Sequence, residues 1–445
     1  MDRRSFLFNA AVTAAIPFTA LNMRVGAAQP GRGRGRLEGI GYGPLAPVVD
    51  ETTGLPLLEL PEGFRYVSFG WTGDVMVNGQ PTPNSHDGMA AFNAGGHRVR
   101  LVRNHERGEG AAFSSAAYNP NAGGGTTTLL FDGKSGKAIE TRDSLSGTIR
   151  NCAGGPTPWR TWLTCEETTL FAAMPHGYIF EVPEDGYGDP VPISDMGRFS
   201  HEAVAVDPVT GYIYETEDAG NSSGFYRYVP TQRNRPSAGG VLSMLKVKNA
   251  ALANLGAGYP NGATFQVEWV DIAQPDNTSS TMPGNFVWAQ GRAHGAATFA
   301  RLEGCWYGND RKIYVVSTSG GAVTQGQIWV YDPKEETITL LFESPGSTVL
   351  NAPDNITVSP RGGLVLCEDG GGEEFLHGLT VQGEIFKFAR NAVVLNGQRN
   401  GIAGDFRGSE WAGACYSPDG EWLFANIQSP GITFAITGPW RNGAL

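Results

Sequence analysis

A strand phrase recurs along the sequence, and the polar residue that opens it changes in chemistry from copy to copy. One copy opens at Cys152 before Ala-Gly-Gly, and another opens at Glu202 before Ala-Val-Ala-Val. If each copy is one blade of a β-propeller, these opening residues converge, because the innermost strand of every blade lines the central channel. The opening residues are Asp87, Cys152, Glu202, Glu303, Asp354 and Glu410.

Carboxylates and a thiol that face one another indicate a metal site, since such groups repel unless cations lie between them. Excess carboxylate suits Ca²⁺, which takes roughly six to eight oxygen ligands. A lone thiolate such as Cys152 suits iron, zinc or copper, so a mixed centre satisfies both observations. Two other interpretations stay open here, namely that Cys152 is a buried structural thiol and that Arg301 and Glu303 form a surface ion pair.

The elements that would position these residues are short strands with turns between them. Strand ends lie at Glu106, Glu167, Glu217, Ser317, Glu368 and Asn426, and four of the five intervals between them are about 50 to 60 residues, which is typical of propeller blades. The remaining interval, from Glu217 to Ser317, is 100 residues long. The 62 glycines and 28 prolines fit the many turns that this fold needs. We therefore predict an all-β fold, a six-bladed β-propeller over residues 41–445 with an insertion at about 231–290. Two β-sandwich domains are the rival architecture.

The first residues predict export. Arg3 and Arg4 precede an apolar run from Ala10 to Leu21 and a small-residue stretch that ends at Ala28, which is typical of a twin-arginine signal peptide. The run is shorter than the roughly 20 residues needed to span a bilayer, so no stable membrane anchor is expected. Residues 1–28 are predicted as the signal, which the twin-arginine translocase would recognise, and 29–40 as a flexible leader. The mature chain would be periplasmic or secreted.

Composition excludes several functions. With 33 basic and 44 acidic residues the formal net charge is −11, and the body of the chain has no basic cluster, so nucleic-acid binding is not expected. Fingerprints of serine hydrolases, nucleotide hydrolases and dinucleotide-binding enzymes are missing from the sequence. Three cysteines in apolar phrases, Cys165, Cys367 and Cys415, are interpreted as small buried side chains. His105 and His201 each precede a glutamate and are candidates for groups that support metal ligands.

Several phrases resemble the PhoX-type alkaline phosphatase family, and together they cover nearly the whole mature chain. They are Asn104-His105-Glu106, Asn151-Cys152-Ala153-Gly154-Gly155, Trp162-Leu163-Thr164-Cys165-Glu166-Glu167, Arg301-Leu302-Glu303-Gly304, Pro353-Asp354-Asn355, Glu368-Asp369-Gly370 and Asn426-Ile427-Gln428-Ser429-Pro430-Gly431. The resemblance implies an exported propeller that hydrolyses small phosphomonoesters with calcium and iron (Ca²⁺ and Fe³⁺).

Residue roles follow from the same resemblance. Cys152 is implied as the iron ligand, and Arg301 as the residue that faces the substrate phosphate. Together with Glu303 they form the implied catalytic set. Further metal ligands are implied at two groups of acids: metal-bridging Glu167, Glu202 and Glu303, and, on the calcium side, Asp354, Glu368, Asp369 and Glu410.

The chain departs from the family pattern in one respect that bears on its function. The chain is shorter than the best-known members of the family, mainly in loops, and loops shape the substrate entrance. Two alternatives from other classes therefore stay open. One is a calcium-dependent propeller lactonase or phosphotriesterase, which would give Cys152 no role, and the other is a non-catalytic, calcium-stabilised binding propeller.

Overall fold

The computed structural model describes residues 41–114, 117–170, 174–277 and 286–445, so the predicted signal peptide and leader lie outside the described residues. The described part of the chain contains 28 β-strands and a single α-helix, α1, at Phe286–Ala293. The strands are β1 Leu45–Val48, β2 Leu58–Pro61, β3 Arg65–Phe69, β4 His86–Asn93, β5 Arg98–His105, β6 Gly124–Asp132, β7 Lys137–Thr148, β8 Asn151–Pro156, β9 Thr161–Glu166, β10 Ile179–Pro183, β11 His201–Val206, β12 Ile213–Glu217, β13 Phe225–Pro230, β14 Gly240–Val247, β15 Thr264–Asp271, β16 Leu302–Tyr307, β17 Ile313–Ser317, β18 Gln327–Asp332, β19 Thr337–Glu343, β20 Pro353–Val358, β21 Leu364–Glu368, β22 Phe375–Leu379, β23 Ile385–Asn391, β24 Val394–Asn396, β25 Ala403–Asp405, β26 Trp411–Tyr416, β27 Leu423–Ile427 and β28 Ile432–Thr437. The prediction of an all-β fold is confirmed.

Six antiparallel hairpins form the centre of the fold. Each begins with an inner strand that pairs with the next strand along the chain, as β4 does with β5 and β8 with β9. Neighbouring inner strands contact one another in chain order, and the last of them returns to the first. The closed ring consists of β4, β8, β11, β16, β20 and β26.

Outer strands extend these hairpins into sheets. Two hairpins have their own sheets, β4-β5-β6-β7 and β8-β9-β10, whereas two others share a nine-stranded sheet. The shared sheet arises because β15 pairs with β14 on one side and with β19 on the other. The stretch at 231–290, predicted as an insertion, therefore supplies two strands that link neighbouring hairpins.

Residues from the beginning of the described chain complete the last two sheets. Strand β3 pairs with β28, with Arg65 opposite Thr437 and Phe69 opposite Thr433. Strand β2 pairs with β23, and β1 then pairs with β2. The ring is thus closed by strands that are distant in sequence, as a closed β-architecture without free inner edges requires.

Apolar side chains pack between adjacent sheets. Every residue of β11, β20 and β26 is buried, because inner strands are covered on both faces. All five cysteines are buried and unpaired, and Cys165, Cys305, Cys367 and Cys415 pack in apolar clusters, as interpreted for three of them from the sequence. Among the described residues, no helix has the length and apolar character needed to cross a membrane.

Candidate metal centre

The candidate site lies where the inner strands begin. In each hairpin the strand register shifts within the first few residues of the inner strand, for example between His201 and Val204 in β11 and between Leu302 and Cys305 in β16. Such β-bulges bend a strand and change the direction of a side chain. We call the second residue of each inner strand the ring residue. The six ring residues are Asp87, Cys152, Glu202, Glu303, Asp354 and Ala412.

A second set of residues closes each hairpin beside the ring residues. The backbone N–H of each closing residue donates to the carbonyl of the leading residue, which lies two positions before the ring residue. In two hairpins these bonds are Glu167 N to Arg150 O at 2.9 Å and Thr318 N to Arg301 O at 2.8 Å. The leading residues are Ser85, Arg150, Ser200, Arg301, Ala352 and Glu410, and the closing residues are Glu106, Glu167, Asp218, Thr318, Asp369 and Gln428.

Ring, leading and closing residues together form one continuous acidic cluster. Four groups each place three potential metal-ligand atoms within 4.8 Å of one another. Because Glu202, Asp354 and Glu410 belong to two groups each, the groups are joined. The groups are Cys152, Glu167 and Glu202; Glu202, Glu303 and Asp354; Asp354, Asp369 and Glu410; and Asp87, Glu106 and Glu410.

Seven of the eight sequence-predicted metal ligands therefore meet in this cluster, and Glu368 does not. Its carboxylate accepts hydrogen bonds from the backbone N–H groups of Asn351 and Phe375 at 2.8 and 3.1 Å. Adjacent strand residues point to opposite faces, so of Glu368 and Asp369 only the second faces the cluster. Glu410 reaches the cluster as a leading residue, two positions before Ala412.

Burial and mutual repulsion make this cluster electrostatically unfavourable without a counter-charge. Burial, and then the carboxylates of Glu303 and Asp354, raise the pKa of Glu202 well above its ordinary range. Burial, followed by the Asp369 carboxylate, raises the pKa of Asp354 to about 7. The pKa values of Glu167, Glu303 and Glu410 shift in the same direction, because each carboxyl is largely removed from water and lies beside other acids; Glu303 is buried, and Glu167 and Glu410 are partly exposed.

The residues present fit a bound cation. The Cys152 Sγ donates to Glu202 Oε1 at 3.2 Å, and the other oxygen of Glu202 is buried without a hydrogen-bond partner among the described residues. Burial, and then the Asp87 and Glu202 carboxylates, raise the pKa of the Cys152 thiol well above its ordinary range. A cation would reverse these shifts by favouring carboxylate and thiolate. The donor set, many oxygens and one sulfur, matches a hard cation together with a transition metal.

Two arginines border the cluster. Arg301 donates from Nε and Nη2 to the Asp218 carboxylate at 3.0 to 3.3 Å, and its Nη2 also contacts Glu303. Arg150 donates from Nε to Glu106 at 3.1 Å and from Nη2 to Glu167 at 2.9 Å.

The sequence interpretation included Arg301 and missed Arg150. Its signal was present, however, because Arg150 precedes Cys152 by the same two positions that separate Arg301 from Glu303.

His105 and His201, which the sequence suggested as groups that support metal ligands, form their hydrogen bonds outside the acidic cluster. His105 contacts the Asn84 carbonyl through Nδ1 at 2.9 Å and the Thr127 hydroxyl through Nε2 at 2.9 Å. His201 contacts the Gly197 carbonyl through Nε2 at 3.1 Å. Both side chains therefore stabilise loops and strands of their own blades, and among the described residues neither ring is hydrogen-bonded to a cluster carboxylate.

Comparisons with known proteins place this geometry in a family. A family model described as alkaline phosphatase PhoX matches residues 40–141 and 134–431. A solved structure of Pseudomonas fluorescens PhoX in complex with vanadate, a transition state analogue, is similar over 91% of this chain and 99% of that chain, with 18% identity and a TM-score of 0.64.

Weaker structural similarities also occur. They include the gluconolactonase XC5397 from Xanthomonas campestris, with 14% identity, coverage of 89% of this chain and 98% of that chain and a TM-score of 0.42. Virginiamycin B lyase from Staphylococcus aureus shows 14% identity, coverage of 84% and 99% and a TM-score of 0.40. No curated protein sequence matches the chain.

The family match covers most of the chain, and the fold is that of the PhoX structure, an all-β, propeller-like architecture. The protein is therefore an enzyme of the phosphatase class. It belongs to the PhoX family of alkaline phosphatases, which confirms the resemblance found in the sequence.

Proposed function

We propose that this chain is an exported phosphomonoesterase that acts at a calcium and iron cluster at one mouth of a six-bladed β-propeller. The observation that carries the proposal is the continuous cluster, in which one thiol lies among buried carboxylates and an arginine borders them. The closed ring of six inner strands supports the blade count.

The proposed ligands are the clustered residues. Cys152 would bind iron, because thiolate sulfur favours transition metals, and the carboxylates of Glu167, Glu202 and Glu303 would hold the metals beside it. The calcium side would take Asp354, Asp369 and Glu410, which are oxygen donors. When bound, the ions would supply Lewis-acid stabilisation of the negative charge on the phosphoryl oxygens. Glu368 is left out of the ligand set, because backbone N–H groups occupy its oxygens.

Arg301 would hold the substrate phosphate. Asp218 and Glu303 fix two nitrogens of its guanidinium, and 35% of its side chain is exposed, so donor groups remain available to an anion. A guanidinium offers a rigid fork of donors to phosphate, which a lysine does not reproduce. In phosphoryl transfer, positioning and electrostatic stabilisation account for most of the catalysis, and the buried cluster strengthens both.

The substrate class and location extend this proposal. A small phosphomonoester would fit a site at a channel mouth whose charged groups would be bound cations and arginines. Export by the twin-arginine translocase to the periplasm, or secretion, is proposed from the sequence motif at Arg3 and Arg4 alone. The low basic content again argues against a nucleic-acid partner.

The Cys152→Ala variant tests the proposal. We expect the wild-type protein to contain iron and calcium and to hydrolyse p-nitrophenyl phosphate in a calcium-dependent way. The variant should fold but lose iron and more than about 100-fold in kcat/KM, since a direct ligand has at least the effect of an outer-shell partner. The measurement is elemental analysis beside turnover.

Cys415→Ala provides the matched control, because Cys415 is a buried cysteine on another inner strand but packs in an apolar cluster. It should keep both metals and full activity. A Cys152→Ala variant with unchanged iron and turnover would overturn the metal assignment. Calcium alone without phosphatase turnover in the wild type would instead favour the lactonase or binding-propeller alternatives.

A further inference from the structure

Arg150 and Arg301 occupy the same position in two hairpins. Each precedes its ring residue by two positions, and the backbone carbonyl of each accepts the N–H of a closing residue. Both have φ of 48°, in the left-handed region that residues other than glycine rarely adopt. The fold therefore presents these two side chains in the same local frame, on inner hairpins separated by one other hairpin.

Their guanidinium groups are also held in the same way. In each, Nε and Nη2 donate to carboxylates: Arg150 uses Glu106 and Glu167, and Arg301 uses Asp218 and Glu303. Within the part of the chain that the structure describes, Nη1 of neither arginine has a hydrogen-bond partner. About half of the Arg150 side chain is exposed, at 48%, compared with 35% for Arg301. Each arginine thus has a fixed orientation and free donor capacity.

The two arginines border the same part of the cluster. Arg150 pairs with Glu167, and Arg301 pairs with Glu303. Glu202 connects these partners, since its carboxylate belongs both to the group with Glu167 and to the group with Glu303. An anion bound beside Glu202 would consequently have the hairpin of Arg150 on one side and the hairpin of Arg301 on the other.

We propose that Arg150 is a second phosphate-binding residue, which holds the substrate's phosphoryl group together with Arg301. This inference rests on the proposed phosphatase function and adds a specificity residue to it. A phosphomonoester dianion has three terminal oxygens, more than one guanidinium can satisfy, and charge-assisted bonds from two forks fix its orientation as well as its charge. In this role Arg150 takes part in no bond-making step, because it only binds and orients the phosphoryl group.

The test uses the full-length, metal-loaded protein and inorganic phosphate as a competitive inhibitor of p-nitrophenyl phosphate hydrolysis. We expect Arg150→Ala to raise the phosphate inhibition constant and KM by about tenfold, the effect of a lost charge-assisted hydrogen bond. Arg150→Lys, which keeps the charge but loses the fork, should lie between wild type and Arg150→Ala. Metal content is measured in each variant, because Arg150 contacts the cluster residue Glu167.

Arg160→Ala is the matched control. Arg160 also has positive φ, at 70°, its side chain is 53% exposed, and it pairs with Glu184, which is outside the cluster. It should leave KM and the inhibition constant unchanged. An unchanged inhibition constant in metal-loaded Arg150→Ala would overturn the proposal, and if that variant loses metal, an unchanged constant in metal-loaded Arg150→Lys would do so.

Failure of the underlying function gives a different result. If the wild-type protein does not hydrolyse the phosphomonoester, the phosphatase proposal fails, and calorimetric binding of phosphate still tests Arg150. In that assay, weaker binding by Arg150→Ala than by Arg160→Ala supports the inference, and equal binding overturns it.

Discussion

Two hairpins have a pair of adjacent acids where their second strand ends, and the two acids of each pair have separate roles. Glu166 accepts backbone hydrogen bonds from Ile149 at 3.0 Å and Gly177 at 2.9 Å, whereas Glu167 belongs to the cluster. Glu368 and Asp369 divide in the same way. The first acid of each pair stabilises its own hairpin and the second contributes charge to the site, so a pair of acids in the sequence does not mean a pair of ligands.

The raised pKa of Asp354 implies a characteristic pH dependence of the metal-free protein. Its folded pKa of about 7 lies above the ordinary value of 3.8, so the folded chain binds more protons than the unfolded chain between these pH values. This contribution to stability is present at low pH and is lost as pH rises through about 7. We expect the Tm of chelator-treated protein to fall by several degrees between pH 5 and pH 8.

Adding calcium and iron should raise the Tm more at pH 8 than at pH 5, because protons compete with cations for the same oxygens. Asp354→Asn removes one of the titrating groups and should make the fall of the metal-free Tm with pH less steep, with differential scanning calorimetry as the measurement. A metal-free Tm that stays constant or rises over this range would contradict the account.

Sequence spacing located the ring residues Cys152, Glu202, Glu303 and Asp354, because one polar residue per repeat is visible without a structure. It did not separate Glu368 from Asp369, since which residue faces the cluster depends on a strand register that the bulges determine. Arg150 was missed although its spacing from Cys152 matches that of Arg301 from Glu303, because this spacing gains meaning only when the hydrogen-bond pattern shows that the two backbones are equivalent.

At the scale of elements, neighbouring inner strands pack so closely that their backbones leave no room for a side chain between them. A Cβ added to Gly88 on β4 would lie 2.5 Å from the Ala153 Cα and 2.9 Å from the Cys152 carbonyl oxygen on β8. Likewise, a Cβ on Gly304 would lie 2.6 Å from the Asp354 carbonyl oxygen on the next inner strand. The glycines that follow ring residues therefore allow the close spacing of strands on which the cluster depends.

The Gly88→Ala substitution should disturb both stability and the site. Its methyl group meets backbone atoms, which cannot rotate away, so the strand that carries Cys152 must shift. Overpacking of this kind costs about 1 to 3 kcal/mol in the free energy of unfolding, and we expect a loss of iron as well. Urea denaturation and elemental analysis are the measurements.

Gly108→Ala is the matched control, because an added Cβ there meets nothing within 4 Å. It should leave the free energy of unfolding and the metal content nearly unchanged. Equal behaviour of the two variants would show that close strand approach does not hold the cluster together.

At the scale of the whole molecule, the ring concentrates chemistry at one end of its axis. Beside the ring residues, the inner strands leave a cavity of only about 10 Å³, lined by small residues such as Gly88, Ala153, Gly304 and Gly413. That volume holds about one water at most, so this part of the inner-strand packing has no room for a substrate. Arg150 and Arg301 are exposed beside the cluster, and we expect a substrate to approach from their side.

Closure of the ring was the part of the fold that the sequence could not show. Repeat spacing predicted the second-strand ends to within a residue, as at Glu217 and Ser317. The pairing of β3 with β28, however, joins segments more than 360 residues apart and has no local signal. Loop-closure entropy opposes such a contact, so packing and hydrogen bonds in the folded state must stabilise it.

Tyr42 is one residue that stabilises this closure. Its hydroxyl lies 2.7 Å from the Leu445 carbonyl oxygen and 2.9 Å from that of Trp440, and it accepts the Leu445 N–H at 2.9 Å. Its ring packs edge-on against Phe64 and Trp440. Tyr42→Phe keeps the packing but leaves these buried backbone groups without a partner, which costs about 1 to 3 kcal/mol.

We expect Tyr42→Phe to lower the free energy of unfolding by that amount while kcat, KM and metal content stay at wild-type values, because the cluster lies on the inner strands. Tyr187→Phe is a suitable control, since Tyr187 is 57% exposed. A fall in metal content together with stability would mean that closure and cluster are coupled, and the ring would then act as one cooperative unit with its site. An unchanged free energy of unfolding would mean that the Tyr42 hydroxyl does not contribute to ring closure.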